Sequence, residues 1–319
     1  MKGTKVIWII IFNIFIILSE IFFGVISNSY ALVADALHNT GDVMALVITF
    51  IAIKLGQKQA TFNYTFGFLK AEMMAAFVNS LFLSLTMLYM IYQAIYRVFY
   101  PEPIESVYMI VMGTIAIIAN GLSAYFLNKM NIGHSHHHHS HSHSHEKHHH
   151  EGEHHHSHED ANIKSAYLHM LSDTLISVGV VVAGIFIFYF KIYYIDSILT
   201  MIFSIFILKH SYPLLKESFL SLLDANITDI SIETLDEIIK FDKNILEYHD
   251  LHISKPSSKY NFISFHIVLE NSNLNLDEVE ELTTTIKEKL KEHNFNHILI
   301  QVDTKSHIRN TINCQLGNE

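Results

Sequence analysis

The sequence predicts a polytopic α-helical membrane protein of six transmembrane helices, followed by a C-terminal α+β domain. Three observations predict it. Half of the 319 residues are hydrophobic and mean hydropathy is positive, too apolar for an ordinary soluble chain of this length. The apolar residues gather before residue 210 in six stretches, each near the ~20 residues that cross a hydrocarbon core. After residue 210 the pattern changes to short amphipathic and alternating segments. The expected division is therefore a membrane domain over residues 1–210, a histidine-rich loop within it at 133–160, and an α+β domain over 211–319.

The expected spans are residues 6–26, 31–53, 71–98, 107–127, 165–190 and 194–208. The first follows Lys2 and Lys5, as a signal peptide would. Its apolar run is too long for one and lacks a small-residue cleavage site, so it reads as a retained span. Lysines occupy alternate loops: Lys2 and Lys5, then Lys54, Lys58 and Lys70, then Lys129, Lys147 and Lys164, then Lys209 and Lys216. The opposite loops carry Arg97, at a span edge, and Lys191. The positive-inside rule places both termini and the histidine-rich loop in the cytoplasm. The short architecture and the lack of a targeting segment point to a bacterial plasma membrane.

Two spans carry matched polar pairs. His38 and Asp42 lie four residues apart in the second, and His169 and Asp173 repeat the spacing in the fifth. Residues i and i+4 share a helix face, so each pair offers one nitrogen and one carboxylate in one direction. Side by side, the two helices supply two imidazoles and two carboxylates, a four-coordinate set suited to Zn²⁺. Ionisable groups inside a membrane are costly and point to function. The bland alternative, helix-packing pairs or snorkelling histidines, does not explain a repeat on two spans. Asn13, Glu20, Asp35, Asn79 and Asn120 also fall within spans. The asparagines read as interhelical hydrogen-bonders, and Glu20 and Asp35 as members of an ion path or of the helix contacts that hold it.

Between spans four and five, residues 133–160 hold fifteen of the 24 histidines, interleaved with serine and acid. The tract includes His134, His136, His137, His138, His139, His141, His143 and His145. It has no residues for a core, and neutral imidazoles bind zinc, copper and nickel. It reads as a metal-gathering or metal-sensing loop, with a tolerated linker as the alternative.

In the C-terminal part, residues 211–224 read as an amphipathic connector and 229–241 as a helix capped by Thr228. Strands follow at 246–254, 260–270 and 297–303, with a turn at Pro256, Ser257 and Ser258. A helix at 275–293 places Leu276, Val279, Leu282, Ile286 and Leu290 on one face. This order suggests a small open-faced α+β sandwich.

Several classes are excluded. A formal charge of −10 argues against nucleic-acid binding. The single cysteine, Cys314, leaves no intrachain disulfide and no cysteine zinc site. H-E-x-x-H spacing occurs only as H-E-K-H-H at 145–149 and H-E-G-E-H at 150–154, inside the histidine-rich low-complexity tract, and there is no glycine-rich phosphate loop, so neither a metalloprotease nor an ATP-driven pump is expected. The chain reads as a secondary transporter, not an enzyme.

Three blocks in order carry a family resemblance: SNSYALVADALHNTGD at 27–42, YTFGFLKAEMMAAFVN at 64–79 and YLHMLSDTLISVGVV at 167–181. With the histidine-rich loop between spans four and five, the chain resembles the cation diffusion facilitators, proton-coupled exporters of zinc, cobalt and cadmium. The resemblance extends over essentially the whole chain. It implies a homodimer in a lipid bilayer, each protomer holding a transport site of His38, Asp42, His169 and Asp173. Histidine in the first position implies zinc over cadmium. The resemblance implies a charge interlock between Lys70 and Asp224 near the dimer junction. It also implies a ferredoxin-like, metallochaperone-like cytoplasmic domain that binds regulatory Zn²⁺. The matching ligand positions are His249, His266 and Asp303. Gln301 replaces a histidine of some relatives, with His252 as a substitute ligand. A further ligand site of some relatives has no counterpart in residues 61–68, which lack His, Asp and Glu.

The expected function is Zn²⁺/H⁺ antiport out of the cytoplasm by alternating access, with divalent metal ions as partners and H⁺ as counter-ion. Co²⁺, Cd²⁺, Mn²⁺, Fe²⁺ and Ni²⁺ remain open as substrates. A metal-gated channel and a membrane-tethered metal sensor are the alternatives.

Overall fold

The computed structural model describes residues 2–133, 156–271, 273–309 and 311–314, with side chains over 14–122 (except 46, 49 and 53) and from 171 onwards. Six helices come first: α1 (Lys2–Ser27), α2 (Tyr30–Gly56), α3 (Ala71–Phe99), α4 (Ser106–Gly133), α5 (His156–Phe190) and α6 (Tyr194–Leu222). Then come α7 (Ile232–Ile239), β1 (Ile245–Ser257), β2 (Tyr260–Leu269), α8 (Leu276–Glu292), β3 (Phe295–Asp303) and a 3₁₀ turn, Lys305–His307. Among the described residues, four segments are long and apolar enough to cross a membrane: Tyr30–Gly56, Ala71–Phe99, Leu171–Phe190 and Tyr194–Leu222. Ile14–Ser27 and Ser106–Leu122 are shorter apolar helices. Contacts divide the chain into two units, Met1–Val43 with Leu83–His210, and Met44–Phe82 with Ser211–Glu319.

In the first unit, Ala31, Leu32, Met109, Met112, Ile176, Val180, Ala183 and Ile187 form a buried core. Helices α4 and α5 pack closely because glycines face the contact. A Cβ at Gly113 would come within 2.7 Å of Val181 Cγ2, and one at Gly184 within 2.9 Å of Ile110 Cγ1. Small residues permit such approach where helices have no water to expel. On α1, Phe15, Leu18, Phe22 and Val25 recur at helical spacing and are exposed. A stripe of that kind suits lipid, because the helix satisfies its own backbone.

The start of α2 is tied to α6. Asp196 is fully buried; its carboxylate accepts from Ser29 Oγ at 2.6 Å, Tyr30 N at 2.9 Å and Ala31 N at 3.3 Å. Ser29 Oγ accepts in turn from Leu32 N. These bonds satisfy amide groups that a helix start leaves unpaired. Arg97 of α3 stacks over Tyr30 at 3.7 Å and donates to Asn28 and Glu102.

In the second unit, α6 continues past residue 208, the expected end of the sixth span, and takes in most of the expected connector. Pro213 removes one amide donor without ending the helix. Asp224, at φ 55°, closes it, with Asp224 N bonded to Ser221 O and Ala225 N to Leu220 O. Helix α7 is shorter than expected and is capped by Ser231, which accepts from Thr234 N. Thr228 instead donates its hydroxyl to Asn226 Oδ1 at 2.7 Å.

The sheet order is β1-β2-β3, with β1 and β2 antiparallel and β2 and β3 parallel across α8. Strand β1 runs through Pro256 to Ser257, which pairs with Tyr260, so the reversal is tighter than the expected turn. Helix α8 begins with a reciprocal cap: Asn275 accepts from Glu278 N and Glu278 accepts from Asn275 N. Leu282, Ile286 and Leu290 bury its apolar face with Phe265 and Phe295, whereas Leu276, in the first turn, is exposed. Full burial of such a side chain is worth about 1.5–3 kcal/mol.

Candidate metal sites

His38 lies one turn before Asp42 on α2 and faces α5, so that Nε2 stands 3.5 Å from Asp42 Oδ2 and 3.3 Å from Asp173 Oδ1. His38 and Asp173 are buried, and Asp42 is partly exposed. One ligand atom from each lies within 4.8 Å of the others. Around a tetrahedral ion with bonds of about 2.0–2.1 Å, ligand atoms stand roughly 3.3–3.4 Å apart. The two distances from His38 Nε2 are close to edges of such a tetrahedron. The backbone places His169 one turn before Asp173 on α5; its side chain lies outside the described residues, as do those of His134 to His145.

Two further acids border the cluster. Asp35 accepts from Ser177 Oγ at 3.3 Å, and Ser177 also donates to Asp173 O. Glu20 accepts from Asn39 Nδ2 at 3.3 Å. Asp35 Oδ1 and Glu20 Oε1 are buried without a hydrogen bond. The sequence marked both acids as polar residues in spans. Their partners Ser177 and Asn39 had no such mark: each acid meets a residue far from it in sequence, which no local pattern reveals.

A second cluster lies in the C-terminal sheet. The register aligns His249 with His266, and His266 with Gln301. Asp303 Oδ2 stands 2.9 Å from His266 Nδ1 and 3.5 Å from His249 Nε2. Burial raises the Asp303 carboxyl, but hydrogen bonds from Gln301 and His266 outweigh it and hold it below the usual carboxylate range. His249 is fully buried, and neither ring nitrogen makes a hydrogen bond. Leaving such groups unsatisfied costs about 1–3 kcal/mol each. A cation among these residues would remove that cost at one nitrogen, so the donor set fits a metal ion.

His249, His266 and Asp250 each offer a ligand atom within 4.8 Å of the others. His252 is not in this group. It lines a cavity of about 810 Å³ bordered by Phe66, Lys70, Asp224, Pro256 and Phe262. Asp250 was missed because strand alternation turns the neighbour of His249 to the opposite face. Its φ of 51° and the irregular register between His249 and His252 break that alternation. In the same unit, Lys70 Nζ donates to both oxygens of Asp224, at 2.7 and 2.8 Å.

A bundle of apolar helices around a buried His–Asp ligand set, with an α+β domain appended, defines an integral membrane cation transporter rather than an enzyme. Comparison with known proteins agrees. Residues 6–223 match the family described as the cation efflux transmembrane domain, and residues 227–305 match the cation efflux protein cytoplasmic domain. The chain belongs to this cation efflux family, the cation diffusion facilitators. It is 31% identical over 297 residues to the cadmium, cobalt and zinc/H(+)-K(+) antiporter of Bacillus velezensis, covering 93% of this chain and 87% of that protein. The identity is also 31% over 293 residues to the protein of the same name from Bacillus subtilis, covering 92% and 86%. With the zinc transporter ZitB of Pectobacterium atrosepticum it is 30% over 234 residues, covering 73% and 65%.

Proposed function

We propose that the protein exports Zn²⁺ from the cytoplasm in exchange for H⁺ by alternating access. The observation that carries this reading is the convergence of Asp42 and the buried Asp173 on the buried His38, whose Nε2 stands 3.5 and 3.3 Å from their carboxylate oxygens. His169, one turn before Asp173, supplies the fourth ligand. Zinc binds neutral imidazole and ionised carboxylate, so zinc and protons compete for the same atoms. Protonation of a histidine after outward opening weakens the set and releases the ion. The Bacillus relatives, named as antiporters of cadmium, cobalt and zinc against H⁺ and K⁺, support proton exchange and a substrate range of zinc, cadmium and cobalt.

The remaining parts of the reading follow the same logic. Six spans over residues 1–210 cross a bacterial plasma membrane, with the termini and the loop at 133–160 cytoplasmic. The loop gathers metal through its histidines. The domain over 211–319 has a ferredoxin-like plan and joins two protomers, and Lys70 with Asp224 locks the junction. His249, His266 and Asp303 hold a regulatory zinc ion, which supplies positive charge among three strands. His252 stands outside this set.

Purified protein in liposomes tests the transport reading. An imposed inward proton gradient is expected to drive zinc movement, and Asp173→Ala is expected to lower the rate by at least about tenfold. Transport that ignores the gradient would remove antiport, and unchanged transport by Asp173→Ala would remove the site.

A further inference from the structure

The segment after β3 lies along β1, one of the two edge strands of the sheet. Leu251 N donates to Ile312 O at 3.0 Å, and Arg309 N donates to Glu247 Oε1 at 2.7 Å. The Arg309 guanidinium reaches Asp250, with Nη1 at 3.1 Å from Oδ2 and 3.4 Å from Oδ1. Asp250 is mostly buried, held in left-handed backbone, and offers an oxygen to the ligand group formed with His249 and His266. The same carboxylate thus has two claimants: a guanidinium from the C-terminal strap, and the place among the imidazoles where the unbonded nitrogens of His249 lie.

We propose that Asp250 is a ligand of the divalent metal held by the C-terminal domain, and that Arg309 occupies it until metal binds. Metal binding then frees the strap that Arg309 secures. The inference rests on the regulatory metal site proposed above. Its physical basis is competition. A guanidinium and a divalent cation both seek the Asp250 oxygens, and a carboxylate drawn towards the imidazoles gives up its Arg309 bonds. With Asp250 as third or fourth ligand, the site has no need of a histidine at position 301. Gln301 instead donates to Asp303 Oδ1 at 3.1 Å and so supports a ligand rather than acting as one.

The strap carries its own reporter. Cys314 is the chain's single cysteine, and a nitroxide attached there reads strap mobility in the full-length protein without engineering. Zinc at chelator-buffered concentrations is expected to mobilise the label. Zinc bound at this site is measured as the difference between each chain and its His249→Ala counterpart. Arg309→Gln is expected to have a mobile label before zinc is added and to bind zinc several-fold more tightly. Asp250→Asn is expected to bind about tenfold more weakly. Asparagine tolerates left-handed backbone, so this variant keeps the local fold. If zinc binding depends on His249 but the label does not respond, the strap mechanism fails and the site stands. If Asp250→Asn binds as the wild type does, the ligand assignment fails in the same way. If His249→Ala removes no zinc, the regulatory site itself fails and the proposal falls with it.

Discussion

Tyr248 and Asp236 join α7 to β1 through one short bond, Tyr248 Oη to Asp236 Oδ1 at 2.6 Å. That bond, with help from Lys240, holds the Asp236 carboxyl below its usual range against a small opposing effect of burial. Burial first, then the negative Asp236, push the Tyr248 phenol up. The signs fix a pH window. Asp236, being depressed, contributes stability above its unfolded value of about 3.9 and loses it as pH falls through its folded value. Tyr248, being raised, contributes fully below about pH 10 and loses its part as pH climbs further. Tyr248→Phe is expected to destabilise the C-terminal domain by roughly 1 kcal/mol at neutral pH. The loss should shrink in acid below about pH 4, where the wild-type pair no longer benefits from the charge. Amide exchange of β1 in the intact protein measures both effects. A deficit that stayed constant into acid would point to lost packing alone.

At the scale of elements, α8 depends on its first turn. Asn275→Ala is expected to cost about 1 kcal/mol by removing one half of the reciprocal cap, seen as faster exchange of the first-turn amides of α8. The acidic start of this helix and its apolar spacing were legible in the sequence because both are local. The approach of His38 to Asp42 was legible for a related reason: the two are an i, i+4 pair, which any helix brings to one face. What the sequence hid depends on backbone irregularity or on distant partners. The positive φ at Asp250 breaks the alternation that would turn it away from His249. His252, the substitute ligand of the resemblance, lines another cavity; three residues from His249, it falls on the opposite face of a regularly alternating strand. Thr228 satisfied the rule for a cap, but Asn226 claimed its hydroxyl and left Ser231 to start α7. Helix α6 runs beyond the span expected at 194–208 because hydropathy marks where apolar composition stops, whereas the helix stops where hydrogen bonding does.

For the whole molecule, the Lys70–Asp224 pair separates intrachain from assembly effects. Both side chains are about half exposed in the single chain, at 43% and 57%, so there the pair is worth only ~0.2–1 kcal/mol. Lys70→Asp is expected to lower transport several-fold, and adding Asp224→Lys to restore most of it. Asp224 holds left-handed backbone, so Asp224→Asn, which keeps that conformation, separates loss of charge from backbone strain: transport equal to wild type in Asp224→Asn and Lys70→Asp would mean that the pair plays no part. Another long-range constraint lies in the carboxylate of Asp196, which grips the first amides of α2 from the first turn of α6. A helix clamped at one tip moves as a lever about that tip. His38 lies eight residues along, roughly 12 Å at 1.5 Å per residue, so a swing of about 10° displaces it by roughly 2 Å. Metal–ligand bonds tolerate about 0.2 Å. A swing too small to unwind a turn of helix or open its core is therefore ample to take the ligand set apart and reassemble it.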